Sequence, residues 1–139
     1  MSEEEKQLQA HLYEFRMLEG RLKEISEQGE MLMRVLIETR GGLTTLKGLS
    51  TSSSNEVLIP IGGGTFVNAK VPPSDKLLVT IGADVIVEKQ KDDALKDVEE
   101  RIKEMENAVS GIEAHRADLN QKMLTKRESI NDLMAKQKG

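Results

Sequence analysis

Apolar residues recur at alternating spacings of three and four along two stretches of equal length, separated by a segment of different character. In the first stretch one row passes through Leu8, Phe15, Leu22, Gly29, Leu36 and Leu43, and a companion row through His11, Leu18, Ile25, Leu32, Thr39 and Leu46. In the second, the rows are Leu95, Ile102, Val109, Arg116, Met123, Ile130 and Val98, Met105, Ile112, Leu119, Lys126, Leu133. Nine of twelve positions are apolar in the first seam and ten of twelve in the second. A repeat sustained over this length predicts two long helices of coiled-coil type. Each seam covers 39 residues, or about 58 Å of helix at ~1.5 Å per residue. Equal lengths, and a middle able to reverse the chain, favour zipping the two seams into one antiparallel arm. Facing residues then have numbers summing to about 141, so Leu8 meets Leu133 and Leu18 meets Met123.

The middle reads as β-structure. After Gly41-Gly42 and the polar loop from Ser50 to Asn55, Val57–Ile61 and Thr65–Val71 flank Gly62-Gly63-Gly64, a hairpin signal. Pro72-Pro73-Ser74-Asp75 punctuates the chain. Leu77–Ile81 and Asp84–Glu88 then form a second pair around a tight Gly82-Ala83 connection, where glycine at the first loop position suits a type II′ turn. Four short strands with free edges and no covering layer are not stable alone. The fold class expected is therefore α+β, mainly α: an antiparallel two-helix coiled coil joined by two β-hairpins that complete an intersubunit β-barrel. The expected organisation is a first coiled-coil helix over 1–49, a two-hairpin oligomerisation body over 50–88 and a second helix over 89–139. The assembly residues are Val57, Leu58, Ile59, Ile61, Phe66, Val67, Val71, Leu77, Val79, Ile81, Val85 and Val87.

Composition supports an arm rather than a globule. Charged residues make up 32% of the chain, and Tyr13, Phe15 and Phe66 are its only aromatics, too few for a bulky core. Net charge of -4 argues against nucleic acid as a partner. No cysteine is present, which excludes disulfides, thiolate metal sites and a cysteine nucleophile. The acidic start lacks the basic and apolar regions of a signal peptide, and no apolar run reaches the ~18 residues of a membrane span. A cytoplasmic protein without a membrane partner is expected. The basic run from Lys122 to Lys138, placed antiparallel, meets the acidic Glu3-Glu4-Glu5 end and favours that pairing.

Catalysis finds no footing. Gly62-Gly63-Gly64 is not followed by the Gly-Lys-Ser/Thr of a phosphate loop, and the next element is a strand. His11 and His115 stand far apart in the zipped arm, each without a second ligand-grade neighbour at helical spacing. No enzyme, metal or cofactor is expected.

The order helix, hairpin, hairpin, helix, with Val57–Val67 (VLIPIGGGTFV) and Val79–Lys89 (VTIGADVIVEK), resembles the alpha-type subunits of the prefoldin family. Two hairpins rather than one mark that class against the beta type. The resemblance implies a hexamer of two alpha and four beta-type prefoldin subunits. It also implies an ATP-independent holdase that captures unfolded polypeptides at its coiled-coil tips and delivers them to a group II chaperonin. One alternative is a structural protein polymerising through its hairpins into filaments; another is an adaptor whose arms bind one partner helix.

Capture at the tips would use seam ends and off-seam apolar residues: Leu8, Leu12, Tyr13, Phe15, Met17, Met123, Leu124, Ile130, Leu133 and Met134. Methionine suits such adaptable contacts. A second cluster, Met31-Leu32-Met33 with Val35-Leu36-Ile37, covers more of its helix than a seam needs. Gly29 and Gly111 fall at one level of the arm. Gly29 is expected to leave Ile112 short of a packing partner, so that Gly29→Leu with Gly111→Ala would tighten a flexible point.

Overall fold

The computed structural model describes residues 2–138. Two long helices, α1 (Glu3–Gly48) and α2 (Lys91–Lys138), enclose four strands in the sequence: β1 (Asn55–Gly62), β2 (Thr65–Val71), β3 (Lys76–Gly82) and β4 (Val85–Gln90). The helix–hairpin–hairpin–helix order is the expected one. The chain divides into two compact units: the terminal stretches, up to Leu36 and from Met105, form one, and Ile37–Glu104 forms the other.

In the first unit α1 starts on Ser2, whose Oγ accepts a hydrogen bond from the Glu5 backbone N–H at 3.2 Å. This cap, with Glu3, Glu4 and Glu5 in the first turn, complements the positive end of the helix dipole. Every seam position from Leu8 to Leu36, and from Met105 to Leu133, is buried or half-buried, whereas nearly all other positions are exposed. Leu36 and Leu119 are fully enclosed. Gly29 faces Ile112, the partner that the antiparallel register assigns to it. The expected gap there does not exist: a Cβ built on Gly29 would lie 3.1 Å from Ile112 Cγ2. Ile112 thus stands closer than ordinary contact, so the longer side chain of a leucine at 29 would overpack the seam. Around Gly111 nothing lies within 4 Å.

In the second unit the remaining seam residues, Thr39, Leu43, Leu46, Leu95, Val98 and Ile102, are likewise buried or half-buried. Hydrogen bonds order its polar connections. The Ser50 N–H donates to Asn55 Oδ1 at 2.9 Å, and Asn55 Nδ2 donates back to the Ser50 carbonyl at 3.0 Å. Lys91, first residue of α2, donates its backbone N–H to the Asp75 carbonyl at 2.6 Å and its Nζ to the Leu49 carbonyl. A cation thus sits on the negative C-terminal end of α1. Lys89 pairs with Asp97, and Arg101 Nη2 donates to the Thr80 carbonyl at 3.1 Å.

β1 pairs antiparallel with β2, and β3 with β4, as two separate two-stranded sheets. The second turn differs from the expected type II′ at Gly82-Ala83. In the second hairpin Gly82 closes β3 at φ 115°, and the turn residues are Ala83 and Asp84, at φ 47° and 61°. The first hairpin repeats this with Gly63 and Gly64, at 59° and 75°. Two successive left-handed residues are what a type I′ turn needs, and its twist matches that of the strands. Each hairpin also carries an irregularity before its turn, between Pro60 and Gly62 and between Thr80 and Gly82. β4 runs on through Lys89 and Gln90, so α2 begins later than the sequence pattern suggested.

Candidate functional site

Cross-strand pairing sorts the hairpin side chains by face. In the first hairpin Val57 lies opposite Ala69 and Ile59 opposite Val67, and Val71 shares their face. The opposite face pairs Glu56 with Lys70, Leu58 with Asn68 and Pro60 with Phe66. In the second, Leu77 and Val79 share a face with Val87, while Leu78, Thr80, Ile86 and Glu88 occupy the other. One face of each hairpin is thus dominated by aliphatic residues and the other is mixed. Val57, Leu77, Val79 and Val87 are half-buried. Leu58, Ile59, Ile61, Phe66, Val67, Val71, Ile81 and Val85 are all exposed, Leu58 at 64% and Phe66 at 59%. Leu78 and Ile86, absent from the expected assembly set, are exposed as well. Both faces of two thin sheets therefore present apolar surface, far more than singly scattered surface residues would.

A second apolar surface lies where α1 begins and α2 ends. Leu12, Tyr13, Met17, Leu124 and Met134 are exposed, Tyr13 at 65%. Leu8, Phe15 and Met123 are half-buried. Ile130 and Leu133 are buried and belong to the seam.

This end is also held by polar contacts that break the apolar seam. Lys126 donates to His11 Nδ1 at 3.0 Å and pairs with Glu14 across the two helices. The Lys126 hydrogen bond, then its charge, hold the Glu14 carboxyl below the usual range. Neighbouring Arg127 lies over the Phe15 ring, 5.8 Å from its centroid. Reading His11 and Lys126 separately, as two interruptions of the repeat, misses this layer. The signal was that both fall on companion rows, one helical turn apart by the facing rule, which sets Lys126 against Phe15, four residues beyond His11.

Among the described residues no group of three or more His, Cys, Asp or Glu could hold a metal ion, and no helix is long and apolar enough to cross a membrane. Of the residues from Met31 to Ile37, Met31, Met33, Val35 and Ile37 are exposed while Leu32 and Leu36 serve the seam.

A family model described as prefoldin subunit matches residues 18–136. This chain belongs to the prefoldin family. It is 33% identical to prefoldin subunit alpha of Nitrosopumilus maritimus, over 96% of this chain and 91% of that one. It is 31% identical to prefoldin subunit alpha 1 of Thermococcus kodakarensis, over 75% of this chain and 72% of that one. Among solved structures, a filamentous PFD from Methanocaldococcus jannaschii matches with TM-score 0.56 and 28% identity, covering 86% of this chain and 94% of the other. The prefoldin beta subunit from Thermococcus strain KS-1 matches with TM-score 0.64 over 91% and 90%, and at 20% identity shows the shared fold. Prefoldin is a chaperone family, not an enzyme family, and its subunits assemble with other prefoldin subunits.

Proposed function

We propose that this prefoldin chain is an ATP-independent holdase subunit of the cytoplasm. It captures unfolded polypeptides on the apolar surface where α1 begins and α2 ends, and passes them to a group II chaperonin. Its hairpins join those of beta-type subunits in a shared barrel, giving a hexamer of two alpha and four beta chains. The observation that carries capture is the exposed set Leu12, Tyr13, Met17, Leu124 and Met134, set around a seam that does not need them. Flexible methionines and a single tyrosine suit contacts with many different chains. Replacing these five residues with serine leaves every seam residue in place. The variant should keep the assembled mass and lose suppression of client aggregation. Undiminished suppression would refute capture at this end and shift attention to Met31, Met33 and Val35.

A second reading is a structural protein that polymerises through its hairpins. The likeness to a filamentous PFD favours it, as does the exposed apolar surface on both hairpins. Particle mass with and without a single-hairpin partner separates the two: growth without limit in the partner's absence supports filaments, a closed small oligomer the holdase.

A further inference from the structure

On one flank of the helix pair in the first unit runs a groove whose charge is opposite to that of the whole molecule. It measures about 520 Å³, and Met17 and Leu18 of α1 and Thr125 of α2 are among its lining residues. Its charged lining residues are Arg21, Lys122 and Lys126 against the single carboxylate of Glu14, in a chain of net charge -4. Lys126 is already engaged by Glu14 and His11. Lys122 pairs with Asp118 at 3.0 Å, but both side chains are more than half exposed, so it can turn to another carboxylate at little cost. Arg21 is exposed, and its guanidinium fork matches a carboxylate in two-point geometry.

An extended segment laid here would place an apolar side chain on Met17 and Leu18 and its neighbours beside Arg21 and Lys122. We infer that the groove gives the chain a preference among its clients for apolar segments flanked by aspartate or glutamate. This deepens the holdase reading and rests on it. Aspartates or glutamates in the flanks gain Arg21 and Lys122, whereas lysines or arginines meet like charge, and that repulsion supplies part of the selectivity.

Two labelled extended peptides with the same leucines and phenylalanines, one flanked by aspartates and the other by lysines, provide the test. Titrated with the full chain, the aspartate-flanked peptide should bind about fivefold tighter near 0.1 M salt. The advantage should vanish near 1 M, where the Debye length falls to about 3 Å. R21E with K122E should invert the preference. R21Q with K122Q, which keeps good helix formers at both exposed positions, should abolish it without inversion. Equal affinities, or a preference that survives charge reversal, would overturn the assignment. Aggregation of a whole client is followed in parallel with the parent chain. Suppression without charge preference removes the groove assignment alone; no suppression by the parent removes the holdase reading and this inference together.

Discussion

At Gly29 the missing side chain is a fit, not a defect. A Cβ there would stand 3.1 Å from Ile112 Cγ2, closer than ordinary contact, so the still larger Gly29→Leu should cost about 1–3 kcal/mol by overpacking. Gly111, with open space around it, should gain about 0.5–1 kcal/mol on replacement by alanine. Urea melts of the two single variants check both signs, and stabilisation by Gly29→Leu would contradict the close approach of Ile112. Ala83 presents the reverse case: a residue with a Cβ held at positive φ, where left-handed backbone costs roughly 1 kcal/mol. Ala83→Gly should relieve that strain and stabilise the second hairpin. Slower amide exchange across Thr80 and Ile86 would report it; faster exchange would show that alanine is not strained there.

Among the elements, the helix pair was the most legible from sequence. Its repeat is long, its seam positions are all buried or half-buried, and Gly29 meets Ile112 as the facing rule requires. The strands were legible to within a residue or two at their ends. Their turns were not, because glycine at 82 suggested a turn one residue too early and alanine at 83 gave no sign of a left-handed backbone. The expected capture residues divided by burial: the off-seam ones are exposed, while Ile130 and Leu133 are taken up by the seam. The layer of Lys126, His11 and Glu14 escaped notice because polar residues on a seam read singly as breaks. That layer has a pH signature. The folded Glu14 carboxyl is held below its unfolded value, so its stabilisation is complete above the ordinary glutamate value of about 4.3. It is lost as pH falls through the depressed folded value. Glu14→Gln should therefore melt earlier than the parent at neutral pH and converge with it in acid. A constant difference between the two across pH would show that the pair does not act through charge.

For the whole molecule the decisive fact is how much apolar hairpin surface a lone chain leaves open. Replacing Ile59 or Val79 with aspartate places a charge on the aliphatic face of one hairpin without touching either helix. Such variants should lose their oligomers while keeping their helical circular dichroism. Retention of the parent mass in sedimentation would refute assembly through these faces.

No strand is shared between the hairpins, and each is closed by its own turn. If each sheet joins one other chain, as the filament reading has it, the chain is in the terms of polymer chemistry a bifunctional monomer, and a subunit with a single hairpin would be monofunctional. Bifunctional units extend and monofunctional units terminate. Under the filament reading the stoichiometric ratio of the two would then act as an end-stop, setting particle size by supply, whereas the proposed hexamer keeps one size whatever the supply.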